Sequence, residues 1–169
     1  DVAGTSWSEP RVQRRRGGTS AAPVASRVLN PVEVEGLLFM REEEKLAHDL
    51  YVTLGSIVGG SVLPRIAESE ARHLEALRNL MVKYGVTDPT VGLGVGAFST
   101  SEFQGLYDSL LAQGRVSLAA AHDVGEIVER DDIAELAKAA EGISAQNVVR
   151  VYTNLLAGSE RHLAEFQAQ

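Results

Sequence analysis

Glu68-Ser-Glu-Ala-Arg-His-Leu-Glu75 lies inside an apolar repeat, Ile66, Leu77, Leu80 and Tyr84, that has the spacing of one helical face. On that face the segment places Glu70 and His73, three residues apart and so side by side. A buried carboxylate is costly unless it is paired or binds a cation, so a Glu-x-x-His pair on an inward stripe needs a reason. The chain repeats the pattern near its end, in Ala157-Gly-Ser-Glu-Arg-His-Leu-Ala164. Aligned on His73 and His162, the two segments suggest two helix pairs related by an approximate two-fold axis. Glu70 then corresponds to Ser159, so the second copy keeps its imidazole and loses its carboxylate.

Working outward, residues 1–28 are rich in Gly, Ser, Thr, Pro and Arg without an apolar period and read as a flexible arm. Residues 29–169 read as one domain. Asn30 is a natural N-cap with Pro31 as first helical residue, and a first long helix should run to about Leu54, where Gly55 stops it. Ser61 and Pro64 open a second, which Gly85 ends. The glycine-rich stretch 86–98 should form a long crossover. Ser99 and Glu102 have the spacing of a capping box, predicting a short helix over Thr100 to Gln113. Ser117 caps a third long helix to about Ala140, and Ser144 a fourth to about Phe166. The expectation is an all-α four-helix bundle with one long crossover and an extra short helix between helices two and three, the connectivity of ferritin-like folds.

Each long helix breaks its own apolar stripe at mid-height. Helix one reads Leu37, Met40, Glu44, Ala47, Tyr51; helix four reads Val148, Tyr152, Leu155, Ser159, His162, Phe166. Helix three sets Glu129 and Asp132 beside Val128 and Ile133. The candidate metal ligands are therefore Glu44, Glu70, His73, Glu129, Asp132 and His162, with Glu44, Glu70 and Glu129 the carboxylates expected to take part in chemistry. Six ligands are too many for one catalytic zinc and suit two ions. Carboxylate oxygens with imidazoles favour iron, with manganese or a mixed pair as the alternatives. Glu42 and Glu43 should be solvated, because their helical angles turn away from Leu37 and Met40. His48 and His122 read as surface groups or supports behind the ligands, and Tyr51 and Tyr152 as core aromatics whose hydroxyls find a partner.

Composition narrows the classes. The net charge of −7 over 169 residues argues against nucleic acid or an anionic membrane as partner. No cysteine is present, which removes disulfides, thiolate clusters and cysteine nucleophiles together. No stretch reaches the roughly 20 apolar residues that span a bilayer, so a soluble protein is expected. Arg14 to Arg16 lack the apolar run that a twin-arginine signal needs, and the compartment stays open between cytoplasm and export after removal of an upstream signal.

Several stretches together resemble the family labelled domain of unknown function 2202: Arg41-Glu-Glu-Glu-Lys-Leu-Ala-His-Asp-Leu-Tyr51, Glu70-Ala-Arg-His-Leu-Glu75, Leu106-Tyr-Asp108, Val124-Gly125, Glu129 with Asp132-Ile133, and Asn154-Leu-Leu-Ala-Gly-Ser-Glu-Arg-His-Leu163. More broadly the chain resembles the ferritin-like superfamily, in which two helices give one Glu each and the other two a Glu-x-x-His each. The resemblance implies a di-metal bundle, with Asp132 or Glu126 supplying the oxygen that Ser159 cannot. The expected activity is oxidation of Fe(II) or reduction of dioxygen or peroxide, as in ferroxidases and rubrerythrin-like peroxidases. Lacking cysteine, such a protein would draw electrons from Fe(II) or an external donor. The alternative is a non-catalytic iron-binding or partner-docking module with a structural metal site. A homodimer through the apolar strip around Phe98 and Phe103 is a further expectation.

Overall fold

The structure, a computed structural model, describes residues 28–169, so the expected arm lies almost wholly outside the described residues. Five helices follow one another: α1 (Pro31–Val58), α2 (Val62–Tyr84), α3 (Ser101–Gly114), α4 (Leu118–Ala140) and α5 (Gln146–Gln167). No strand occurs among the described residues. The all-α expectation holds, with α3 as the short helix after the glycine-rich connection.

The helix ends show which local signals were sufficient. Asn30 caps α1 in a reciprocal box, its Oδ1 accepting from the Glu33 amide and Glu33 Oε2 accepting from the Asn30 amide, both at 2.9 Å. Ser117 caps α4 through the Ala120 amide at 3.1 Å. Three expectations need correction. Gly55 does not stop α1, which continues to Val58 and ends at Gly59, whose φ of 78° suits glycine. Gly55 instead lets α2 approach, since a Cβ there would stand 3.4 Å from the Pro64 ring. The cap of α3 is Thr100, which accepts from the Phe103 amide, because Ser99 gives both its amide and its hydroxyl to Glu42. The start of α5 has Ala145 as cap, because the Ser144 amide is turned to Glu33 Oε1 at 3.2 Å.

The long helices touch in a closed order: α1 packs on α2, α2 on α5, α5 on α4, and α4 on α1, while α3 lies over α1 and α4. The buried apolar residues divide into two clusters. One joins Leu46, Leu50, Tyr51, Ile66, Val124, Val128 and Phe166 with α3; the other joins Leu37, Met40, Leu77, Leu136, Tyr152 and Leu155. Between them each long helix carries buried polar residues: Glu44 on α1, Glu70 and His73 on α2, Glu129 and Asp132 on α4, Ser159 and His162 on α5. Apolar layers therefore close over a polar layer from both ends.

The crossover between α2 and α3 is held down by an outer row of α1. Arg41 Nε donates to Asp88 Oδ2 at 2.9 Å, Lys45 Nζ donates to the Gly94 carbonyl at 2.9 Å, and Asp49 Oδ2 accepts from the Gly96 amide at 2.9 Å while also pairing with Lys45. The largest departure from the helical-wheel reading lies beside this row: Glu42 and Glu43, expected in solvent, are 3% and 7% exposed. Ser99, at the end of the crossover, donates to Glu42, while α3 and α4 flank Glu43, so both stand on faces that would be wet on α1 alone.

Candidate metal centre

Helical spacing brings five of the six predicted ligands to one place. His73 Nδ1 stands 2.7 Å from Glu70 Oε2 and 3.1 Å from Glu44 Oε2. His162 Nδ1 stands 2.6 Å from Glu70 Oε1 and 3.5 Å from Glu129 Oε2. The two imidazoles stack with centroids 5.5 Å apart and planes 27° from parallel. Two triads result, Glu44 with Glu70 and His73, and Glu70 with Glu129 and His162, the ligand atoms of each lying within 4.8 Å of one another. Glu70 belongs to both and turns one oxygen to each histidine.

Asp132 is the neighbour of these triads. It is buried, its Oδ2 accepts from the Ser159 hydroxyl, and its Oδ1 has no hydrogen-bond partner. Glu126, the rival for that role, pairs with Arg130 on the outside of α4 at 3.0 Å. His48 binds Asp49, and His122 lies against Phe166; neither reaches the triads. Tyr51 finds its expected partner, donating to Glu129 Oε1 at 2.8 Å, whereas the buried hydroxyl of Tyr152 has none, against expectation.

Charge is the central problem of the site. No lysine or arginine ion pair reaches Glu44, Glu70, Glu129 or Asp132 among the described residues. Burial, with Asp132 and Glu70 close by, holds the Glu44 carboxyl well above the usual carboxylate range. Burial likewise lifts Asp132 to about 8, against the Ser159 hydrogen bond and helped by Glu129 and Glu70. Glu129 is pushed up to about 7 by burial, with His162 opposing and Glu70 adding. Glu70 goes the other way: burial raises it, but contacts with His162 and His73 outweigh that and bring it to about 2. His162 is depressed by burial yet raised to about 10 by Glu129 and Glu70. Acids crowded out of water thus meet here with imidazoles as their only basic neighbours among the described residues.

Each triad could hold a metal ion. Both oxygens of Glu70, Glu44 Oε1, Asp132 Oδ1 and His162 Nδ1 are buried without a hydrogen-bond partner, although oxygen and nitrogen approach to 2.6–2.7 Å at Glu70. The atoms are close but not aligned as donor and acceptor. Such orphaned, converging groups suit an ion placed between them, and carboxylate oxygen with imidazole nitrogen is a donor set that divalent first-row metals accept.

Two glycines shape the site and carried no role in the sequence reading. A Cβ on Gly158 would stand 2.5 Å from His73 Nε2, and one on Gly125 2.5 Å from the Phe166 ring. Phe166 in turn packs on Tyr51 at 5.3 Å. The available signal was a glycine inside a helix, which costs about 1 kcal/mol relative to alanine and often marks a close approach.

The chain belongs to the family described as an uncharacterized protein domain, DUF2202, whose profile matches residues 33–169. Uncharacterized protein MJ0754 of Methanocaldococcus jannaschii is 40% identical over 134 residues, 79% of this chain and 72% of that protein. The crystal structure of hypothetical protein MJ0754 from Methanococcus jannaschii DSM 2661 is similar at a TM-score of 0.81 and 38% identity, covering 83% of this chain and 80% of that one.

Proposed function

We propose that this chain is a ferritin-like four-helix bundle whose polar layer binds two metal ions, iron first among them, and that it oxidises Fe(II) or reduces dioxygen or peroxide there. The closed order of α1, α2, α5 and α4, with a long crossover after α2, supports the bundle. The observation that carries the site is Glu70: a carboxylate 1% exposed, whose two oxygens each meet a different imidazole without an aligned hydrogen bond. Glu44 with His73 would hold one ion and Glu129 with His162 the other, with Glu70 between them. Bound iron would supply reversible one-electron change.

The chain's own residues do the rest. Tyr51 fixes Glu129 by its hydrogen bond, Gly158 leaves room for His73, and the two apolar clusters exclude water from both ends. With no cysteine, electrons come from Fe(II) or an external donor. Metal analysis of protein purified without added metal, followed by oxygen uptake on addition of Fe(II), tests the proposal. About two ions per chain are expected, and Glu70→Ala should abolish both binding and uptake. Two ions with no uptake would leave a structural centre; a metal-free protein from iron-replete cells would overturn the reading.

A further inference from the structure

Glu43 is buried, yet it belongs to neither triad. It is 7% exposed, its Oε2 has no hydrogen-bond partner, and it lines a groove of about 230 Å³ between α1, α3 and α4. The groove walls are apolar, with Phe39, Phe103 and Val128, but Asp131, Glu135 and Glu102 also line it. Of these, among the described residues, only Glu135 has a basic partner, Lys138 on its own helix. The groove and the centre lie back to back on two helices: Glu43 precedes the triad residue Glu44 on α1, and Val128 and Asp131 precede Glu129 and the buried Asp132 on α4.

We propose that this acidic groove is the access route by which divalent cations reach the centre, passing from Asp131 and Glu135 at the surface to Glu43 and then to Asp132. A cleft lined by one sign of charge, with low-dielectric walls, concentrates counter-ions and raises their association rate. Carboxylates attract a hydrated divalent ion as hard ligands. Among the described residues only the two triads bring three ligand atoms within 4.8 Å, so the groove passes ions on and does not retain them. Glu43 is the step where an ion leaves bulk water, which is why an acid without a hydrogen bond is kept there. This inference rests on the di-metal reading of the centre.

Stopped-flow mixing of the metal-stripped full chain with Co(II), read by the visible absorbance of the bound ion, tests it. Glu43→Gln, and separately the surface pair Asp131→Asn with Glu135→Gln, should slow association about tenfold at low ionic strength while the final amount bound stays at the wild-type level. Glu68→Gln with Glu160→Gln, which removes the same charge outside the groove, should change the rate less than twofold. Equal rates in the groove and control pairs, with wild-type loading intact, would overturn the route and leave the centre standing. Groove variants that lose bound metal without slowing would overturn it too, by making these acids retaining ligands. A wild-type chain that takes up no Co(II) would remove the centre and the route together.

Discussion

At the scale of single residues, Gly158 tests the site most cleanly, because it lies against the candidate ligand His73 without being one. Gly158→Ala places a methyl 2.5 Å from His73 Nε2, and the ring, held between Glu70 and Glu44 on its other side, has little room to swing away. Overpacking of this kind costs roughly 1–3 kcal/mol, so denaturant unfolding should show that loss, and calorimetric titration a weaker metal affinity. Unchanged stability and affinity would mean that His73 moves freely and does not depend on this contact. The same scale shows what one sequence can disclose. Glu44, Glu70, His73, Glu129 and His162 were legible because a helix fixes which residues share a face, and polar groups on an apolar stripe stand out. Glu42 and Glu43 were not, since the segments that bury them come from residues about 50 positions or more further on. That Asp132 meets Ser159 while Glu126 pairs with Arg130 on the outside likewise depends on the rotation of α4, which the sequence does not give.

At the scale of elements, the crossover is held to α1 largely by charge. Burial pushes the Asp49 carboxyl up, but His48, Lys45 and the Gly96 amide outweigh this and hold it below its ordinary value. A carboxyl lowered by folding contributes stability above its unfolded pKa, about 3.9 for Asp, and loses that contribution as pH falls through the lower folded value. The wild-type Gly96 amide should therefore stay protected from hydrogen exchange at pH 5 and lose protection on acidification below about 3.9. Asp49→Asn should lose much of it already at pH 7. Equal protection in both proteins at pH 7 would show that apolar packing alone holds the crossover. Helix existence and order were readable because the apolar period survives in all five elements. The ends were harder: Ser99 and Ser144 have capping chemistry, yet each was claimed by a carboxylate of α1, a competition that no local pattern reveals.

At the scale of the whole molecule, cations bound only by the folded chain stabilise it by about 2.7 kcal/mol at a hundredfold excess over Kd, or roughly 5–10 °C in Tm for a domain of this size. Stripping the protein with a chelator should remove that increment, and restoring Fe(II) or Mn(II) should return it; a Tm indifferent to both would argue for a metal-free polar network. The division of the core into two apolar clusters with a carboxylate layer between them has one more consequence. The molecule is mechanically two short stacks of helix segments joined at a waist, and ions bridging that waist would couple their melting. Without them the halves should melt separately, so that in a calorimeter the measured heat exceeds the van't Hoff value for the stripped chain and equals it for the loaded one.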